Sequence, residues 1–127
     1  MKNIFEDAEV ISAYTWDEAI ADGQFIEVTE TAKEAGITIP TAVTASVYHR
    51  YVACNPMPDG SDLKGRLWDT VWTFSRAAKG KKTSMIEFVV AYWDGIRNKD
   101  VTLWATLGAR GPNDSSPIIT IMLPEDY

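Results

Sequence analysis

The strongest pattern of apolar and polar positions lies in residues 62–79. Apolar residues recur there at spacings of three and four, on one side of a predicted α-helix: Leu63, Leu67, Val71, Phe74 and Ala78. Trp68 and Trp72 lie four residues apart on the flank of this stripe, so their rings are expected to stack. Asp62 is placed to cap the first turn, and Gly80 to end the helix. We expect the stripe to pack on a sheet.

The C-terminal third of the chain changes to a period of two, which is typical of β-strands. The predicted strands cover residues 85–93, 101–107 and 118–123. Apolar side chains occupy both faces of the first strand, so we expect it to be central in its sheet. Residues 108–117 are rich in turn-forming residues and predict a loop. The three strands therefore form an antiparallel meander.

Shorter elements are predicted in the N-terminal half. Thr15 and Glu18 have the spacing of a capping box, which begins a helix that ends near Ala21. Thr29 is expected to cap a second short helix, which Gly36 ends in the left-handed conformation. The remaining segments are a loose lead-in over residues 1–12, a short strand over residues 24–28 and a helix over residues 41–54.

Helices that precede a run of strands are typical of the α+β class. We predict one domain over residues 1–127, because a chain of 127 residues is long enough to bury a core of its own. Its sheet is expected to be antiparallel, with three to four strands and the N-terminal helices packed on one face.

Charge is distributed unevenly along the chain, whose net charge is −6. Residues 1–30 carry eight acids and one base, whereas residues 64–82 carry six bases and one acid. An acidic chain repels nucleic acid at long range, so nucleic acid is an unlikely partner except at a local patch. The candidate phosphate patch is Arg76, Lys79, Lys81 and Lys82, which would otherwise be a solvated helix end. The acidic N-terminal third is mostly explained by ordinary helix-start carboxylates, and it permits DNA mimicry without showing it.

Cys54 is the single cysteine, so no disulfide can form within the chain. The N-terminus lacks the apolar region of a signal peptide, and no apolar run approaches the length of a membrane span. These features predict a cytoplasmic protein without a membrane partner.

The sequence matches none of the residue patterns that are typical of the catalytic and metal sites considered below. A structural zinc site needs four ligands drawn mainly from Cys and His, and the chain has one of each. Cys54 and His49 are five residues apart on the predicted helix, about 140° around its axis, so they cannot form a nucleophile–base pair. A Mg²⁺ or Ca²⁺ site at Asp59, Asp62 and Asp69 is a weaker alternative to loop solvation and capping. We predict no catalytic residue, cofactor or metal.

Three tryptophans are candidate partner-binding residues, because Trp is enriched at interface hot spots. Trp104 is the best placed, since it lies on an otherwise polar, threonine-lined strand face. Trp68 and Trp72 are the others, with burial in the core as the alternative reading. A small enzyme or ligand-binding domain that uses His49 and Asp69 stays open as an alternative function.

Four segments together resemble a family of small proteins carried on bacterial plasmids, phages and integrating elements. The segments are YTWDEAIADG (residues 14–23), TETAKEAG (29–36), GRLWDTVW (65–72) and PIITIMLPED (117–126). The resemblance implies an accessory gene of a mobile element, and products of such genes often interfere with host defence systems. It implies no catalytic residues. We therefore expect a non-enzymatic protein that binds a host or element protein, with its oligomeric state left open.

Overall fold

The computed structural model describes residues 15–127 and shows an α+β fold. Its helices are α1 (Trp16–Ala21), α2 (Thr29–Glu34), α3 (Ala45–Val47), which continues as a π-helical segment over Tyr48–Val52, and α4 (Leu63–Ala78). Its strands are β1 (Phe25–Glu27), β2 (Thr41–Thr44), β3 (Met85–Trp93), β4 (Asn98–Gly111) and β5 (Asp114–Met122), followed by a 3-10 turn over Pro124–Asp126. The predicted lead-in over residues 1–12 lies outside the described residues.

The described strands form one five-stranded sheet in the order β1-β2-β5-β4-β3. The predicted antiparallel meander is present as β3, β4 and β5, and β1 is antiparallel to β2. The expectation of a wholly antiparallel sheet with three to four strands is wrong, because β2 runs parallel to β5, with Ala42 opposite Thr120. The sheet is mixed and larger than predicted.

The helix predicted over residues 41–54 is also wrong. Its first four residues form β2, which is buried at every position. A short apolar run fits a helix face and a buried strand equally well, so periodicity alone could not separate the two. Thr44 then caps α3, its hydroxyl accepting a hydrogen bond from the Val47 amide at 3.4 Å.

Other local predictions have mixed outcomes. The capping box of Thr15 and Glu18 and the Asp62 cap, which accepts from the Gly65 amide at 2.7 Å, are confirmed. Thr29 does not cap α2; its hydroxyl instead donates to Glu27 Oε2 and accepts from the Thr41 amide, which ties β1 to β2. The predicted loop over residues 108–117 is mostly strand, because β4 and β5 extend into it.

The main core lies between α4 and the inner face of the sheet. Leu67, Val71 and Phe74 of the predicted stripe are buried there, and Phe74 packs on Phe88 with ring centroids 5.6 Å apart. Leu63 departs from the prediction and is 39% exposed at the start of the helix. Packing of the stripe therefore positions α4 across β3 from its second turn onward.

Helix α1 lies on the opposite face of the sheet, which corrects the expectation that all helices share one face. Trp16 packs against Ala42 and Ile118 in a second, smaller core. Its indole Nε1 donates to the Thr120 hydroxyl at 3.2 Å. Both faces of the sheet are consequently covered over the half that contains β1, β2 and β5.

Arg66 is buried and joins three parts of the chain. Its Nε donates to the Tyr51 carbonyl at 2.6 Å, and Nη1 donates to the Trp93 carbonyl at 2.6 Å and the Ser61 hydroxyl at 3.2 Å. The guanidinium lies 5.1 Å from the centroid of the Tyr92 ring. Within residues 15–127, no carboxylate forms an ion pair with it. Backbone carbonyls and an aromatic face therefore stabilise this cation.

Tyr92 completes the buried cluster around Arg66. Its hydroxyl lies 2.5 Å from the Thr70 hydroxyl, and its ring stacks on Tyr51 at 5.4 Å. Burial raises the pKa of Tyr92 to about 12, although the hydrogen bond with Thr70 and the charge of Arg66 act in the opposite direction. The phenol is therefore neutral at physiological pH and is held as a hydrogen-bonding group.

Replacing Arg66 tests whether this cluster fixes α4 to the sheet. We expect Arg66→Met to lower the free energy of unfolding by about 3 kcal/mol, because two carbonyls lose their donors in a buried site. Urea denaturation followed by far-ultraviolet circular dichroism measures the change. The matched control is Arg76→Met on the exposed side of α4, expected to change stability by about 0.5 kcal/mol. Equal small effects of the two substitutions would contradict a structural role for Arg66.

Candidate interaction surfaces

The outer face of β3 and β4 exposes a row of apolar side chains. We call it the exposed sheet face and define it by Glu87, Val89, Ala91 and Trp93 of β3 with Thr102 and Trp104 of β4. Val89 is 49% exposed and Trp93 is 37% exposed. The register places Val89 beside Thr102 and Glu87 beside Trp104, so these side chains share one face.

Trp104 lies on the side of the exposed sheet face that is nearest β5, and it is half-buried. Its indole Nε1 donates to Glu87 Oε2 at 3.1 Å, and the ring of Tyr127 packs against it edge-on with centroids 5.6 Å apart. The side chain therefore faces outward, as its threonine neighbours predict, and two contacts hold it in place. A rigid aromatic of this kind loses little conformational entropy when a partner binds.

A second surface is a groove beside the C-terminal half of α4. The groove holds about 500 Å³, and its apolar lining comes from Ile37, Ile39, Phe74, Ala78 and Ile119. Trp72, Arg76 and Lys79 border it. Trp72 is 42% exposed, and the Arg76 guanidinium lies 5.4 Å from its ring centroid. Part of the predicted phosphate patch thus adjoins one of the candidate partner-binding tryptophans.

The other members of these two predicted sets lie nearby. Trp68 stacks on Trp72 as predicted, with ring centroids 5.7 Å apart, and is half-buried. Lys81 borders a neighbouring cavity of about 200 Å³ at the start of β3, and Lys82 is exposed beside it. The cationic residues therefore follow the end of α4 and the turn after it.

The structure does not bring His49 and Asp69 together. His49 is exposed and contacts the Tyr48 ring edge-on at 5.3 Å. Partial desolvation raises the pKa of Asp69, against the opposing charge of Arg66. Across residues 15–127, no hydrogen bond or ion pair joins the two side chains. They do not form the base–carboxylate pair that general-base catalysis needs.

Other candidate chemistry is likewise dispersed. The Cys54 sulfur lies 3.9 Å from the Met57 sulfur. Asp62 caps α4 and Asp59 contributes only its backbone carbonyl, which accepts from Trp93 Nε1 at 2.8 Å. In the described part of the chain, no group of three His, Cys, Asp or Glu side chains could hold a metal ion.

Cations partly neutralise the acidic N-terminal region. Asp17 accepts bidentate hydrogen bonds from Arg110, whose side chain also lies over the Trp16 ring. Glu30 pairs with Lys33 at 3.6 Å. Residues 1–14, which hold three more acids, lie outside the described residues. Among the acids of the described N-terminal region, Asp17 and Glu30 are therefore paired with cations.

Sequence reasoning missed two features of these surfaces. The strand over residues 85–93 was expected to be central because apolar residues occupy both of its faces. This prediction is wrong: β3 is an edge strand, and Val89 and Trp93 on its outer face are exposed. Trp72 and Arg76 are four residues apart on one helix, and this spacing is the signal that could have predicted their contact.

The whole chain, residues 1–127, matches a protein family described as "Family of unknown function (DUF6573)". No curated protein and no solved structure matches the chain. The helices described in residues 15–127 include none that is both long and apolar enough to cross a membrane. Because the family description specifies no activity, substrate or partner, the chain's own residues carry the functional argument.

Proposed function

We propose that this chain, which belongs to the DUF6573 family, is a non-enzymatic protein that acts by binding another protein through the exposed sheet face. The observation that carries the proposal is the exposure of Val89 and Trp93 on the face that they share with Trp104. Contiguous apolar surface on a soluble domain marks interaction sites.

The amino acids on this face also favour protein binding. Trp is among the residues enriched at binding hot spots, and two tryptophans lie on the face with small and polar neighbours around them. Hydrogen bonds hold both indoles, that of Trp104 to Glu87 and that of Trp93 to the Asp59 carbonyl. Such preorganised rings would serve as anchors for a partner.

The setting proposed with this function follows from the resemblance to mobile-element proteins. In that setting the chain would be a cytoplasmic accessory protein, and its partner a host or element protein. Interference with a host defence system is the role that this setting implies. The enzyme alternative is less well supported, because His49 and Asp69 make no contact with each other.

Anion binding is a second candidate function, and the groove at α4 favours it. Trp72 and Arg76 lie together at a groove that Lys79 also borders. An aromatic face next to cations is the combination that single-stranded nucleic acid uses for stacking and phosphate contact. The sequence alone did not show this pairing of an aromatic residue with the basic cluster.

Trp104→Ala tests the proposed protein-binding function. We expect affinity capture from a host lysate with the tagged full-length chain to recover a specific protein, identified by mass spectrometry. Truncation of a hot-spot Trp should weaken binding of the purified partner by about 30-fold or more, equivalent to roughly 2 kcal/mol.

The matched control is Trp72→Ala, which removes an exposed Trp from the other surface. It should leave the affinity for that partner unchanged. Equal affinities of wild type and Trp104→Ala would contradict binding through the exposed sheet face. Loss with Trp72→Ala alone would move the binding site to the groove.

Salt dependence tests the anion-binding candidate. A fluorescent single-stranded oligonucleotide should bind at low salt, and its affinity should fall steeply as salt increases, because phosphate contacts release counterions. Trp72→Ala should weaken binding through loss of stacking, whereas Trp104→Ala should not. Absent binding at low salt, or binding that is insensitive to salt, would exclude this function.

A further inference from the structure

The backbone of β3 has one bonded side and one open side. Leu107 donates to the Ser84 carbonyl, and Asp94 donates to the Arg97 carbonyl, at the two ends of the β3–β4 ladder. In an antiparallel ladder, hydrogen-bonded positions alternate along the strand. The backbone groups of Phe88, Val90 and Tyr92 therefore face β4. Those of the odd-numbered residues from Met85 to Trp93 face the free edge.

Side chains close both ends of this free edge. The Thr83 hydroxyl accepts from the Met85 amide and donates to the Met85 carbonyl. At the other end, Arg66 donates to the Trp93 carbonyl. Among the described residues, the amides and carbonyls of Glu87, Val89 and Ala91 have no such partner. The open part of the edge is thus five residues long and centred on Val89.

This open part lacks the usual protection of an edge strand. Natural edges carry lysine, proline or an outward charge that prevents pairing with another strand. Glu87 is the one charged residue between Met85 and Trp93, and its carboxylate is directed toward Trp104, away from the edge. The edge therefore presents free hydrogen-bonding groups between apolar side chains.

We propose that two copies of the chain pair through β3, antiparallel, about a twofold axis at Val89. Val89 then lies opposite Val89 of the second copy, and Glu87 lies opposite Ala91. Each of these positions exchanges two hydrogen bonds with its counterpart, because all three direct both backbone groups outward. The two blocked positions, Met85 and Trp93, also lie opposite each other, so the pairing uses only the open groups.

Charge and helix packing are compatible with this arrangement. Like charges are not directly opposed, since Glu87 lies opposite Ala91. Arg66 lies on the side of α4 that is nearest the free edge of β3. Thr73 and Ala77 lie on the same side of the helix, about two and three turns further on. Small residues there leave room for the second α4 above the joined sheet. The dimer would contain one continuous ten-stranded sheet with both exposed sheet faces on the same side.

A second copy fits the edge better than an unrelated peptide does, because the open groups form a set that is complementary to itself. An isologous interface requires such self-complementarity. The inference does not depend on the proposed partner protein, and it is measured on the purified chain alone. An interface built on five residues per strand is small, so we expect a weak, concentration-dependent dimer.

Sedimentation of the full-length chain tests the proposal. The mass should rise from 14.1 kDa toward twice that value as the concentration increases to the order of 100 µM. Val89→Lys places two like charges opposite each other and should shift the midpoint of dimerisation at least about tenfold higher. The matched control, Thr102→Lys, adds the same charge to the same face one strand away from the edge, and should dimerise like wild type.

Cross-linking supplies a second measurement that does not depend on affinity. In a Cys54→Ser background, Val89→Cys should form an intermolecular disulfide, because directly opposed residues of an antiparallel pair are about 5.5 Å apart at Cα. Thr102→Cys should not. A chain that stays monomeric at the highest concentration, together with no preferential cross-linking at position 89, would overturn the proposal. Equal dimerisation of Val89→Lys and wild type would overturn it as well.

Discussion

The hydrogen bonds of the buried Arg66 guanidinium determine how α4 meets the sheet. Burying a cation is costly unless hydrogen bonds compensate, and here the backbone carbonyls of Tyr51 and Trp93 accept from its Nε and Nη1 in place of a carboxylate. Each carbonyl belongs to a different part of the chain. Arg66 thus joins α4, the end of the π-helical segment and the end of β3.

The position of this contact also shapes the surface of the protein. The Trp93 carbonyl belongs to the free edge of β3, so Arg66 closes one end of that edge while the Thr83 hydroxyl closes the other. The middle of the edge is left open, because α4 packs above the strand and not beside it. An interaction that stabilises the core thereby limits where a second strand can pair.

Uneven coverage of the sheet connects the fold to the proposed function. Helices α2, α3 and α4 pack on the inner face, and α1 packs on the outer face beside β1, β2 and β5. The outer face of β3 and β4 keeps its apolar side chains exposed. This exposed part of the sheet is the surface on which the proposed protein binding depends.

Local signals predicted much of this fold correctly. Each signal depends only on residues close together in the sequence. The examples are the apolar stripe of α4, the capping box at Thr15 and the alternation in β3 and β4. The helix predicted at residues 41–44 is wrong because four apolar or β-branched residues carry too little periodicity to separate strand from helix. The pairing of this segment with β5, 78 residues later in the chain, is the contact that decides its conformation.

The two surfaces were harder to predict for a related reason. Whether an apolar strand face is core or surface depends on the strand order, and the strand order is set by contacts distant in sequence. Arg66 gave no signal, because an arginine on a helix beside other charged residues looks solvated. The groove residues Trp72 and Arg76 could have been paired by their spacing, but the apolar lining from Ile37, Ile39 and Ile119 required the fold.

The central claim is that the backbone groups of successive β3 residues point alternately toward β4 and toward an open edge. Amide hydrogen exchange along β3 tests this claim most directly. In dilute full-length protein, the amides of Phe88, Val90 and Tyr92 should exchange slowly, because they bond to β4. The amides of Glu87, Val89 and Ala91 should exchange much faster. Uniform slow exchange at all six positions in dilute protein would show that the edge is covered, and would contradict the account.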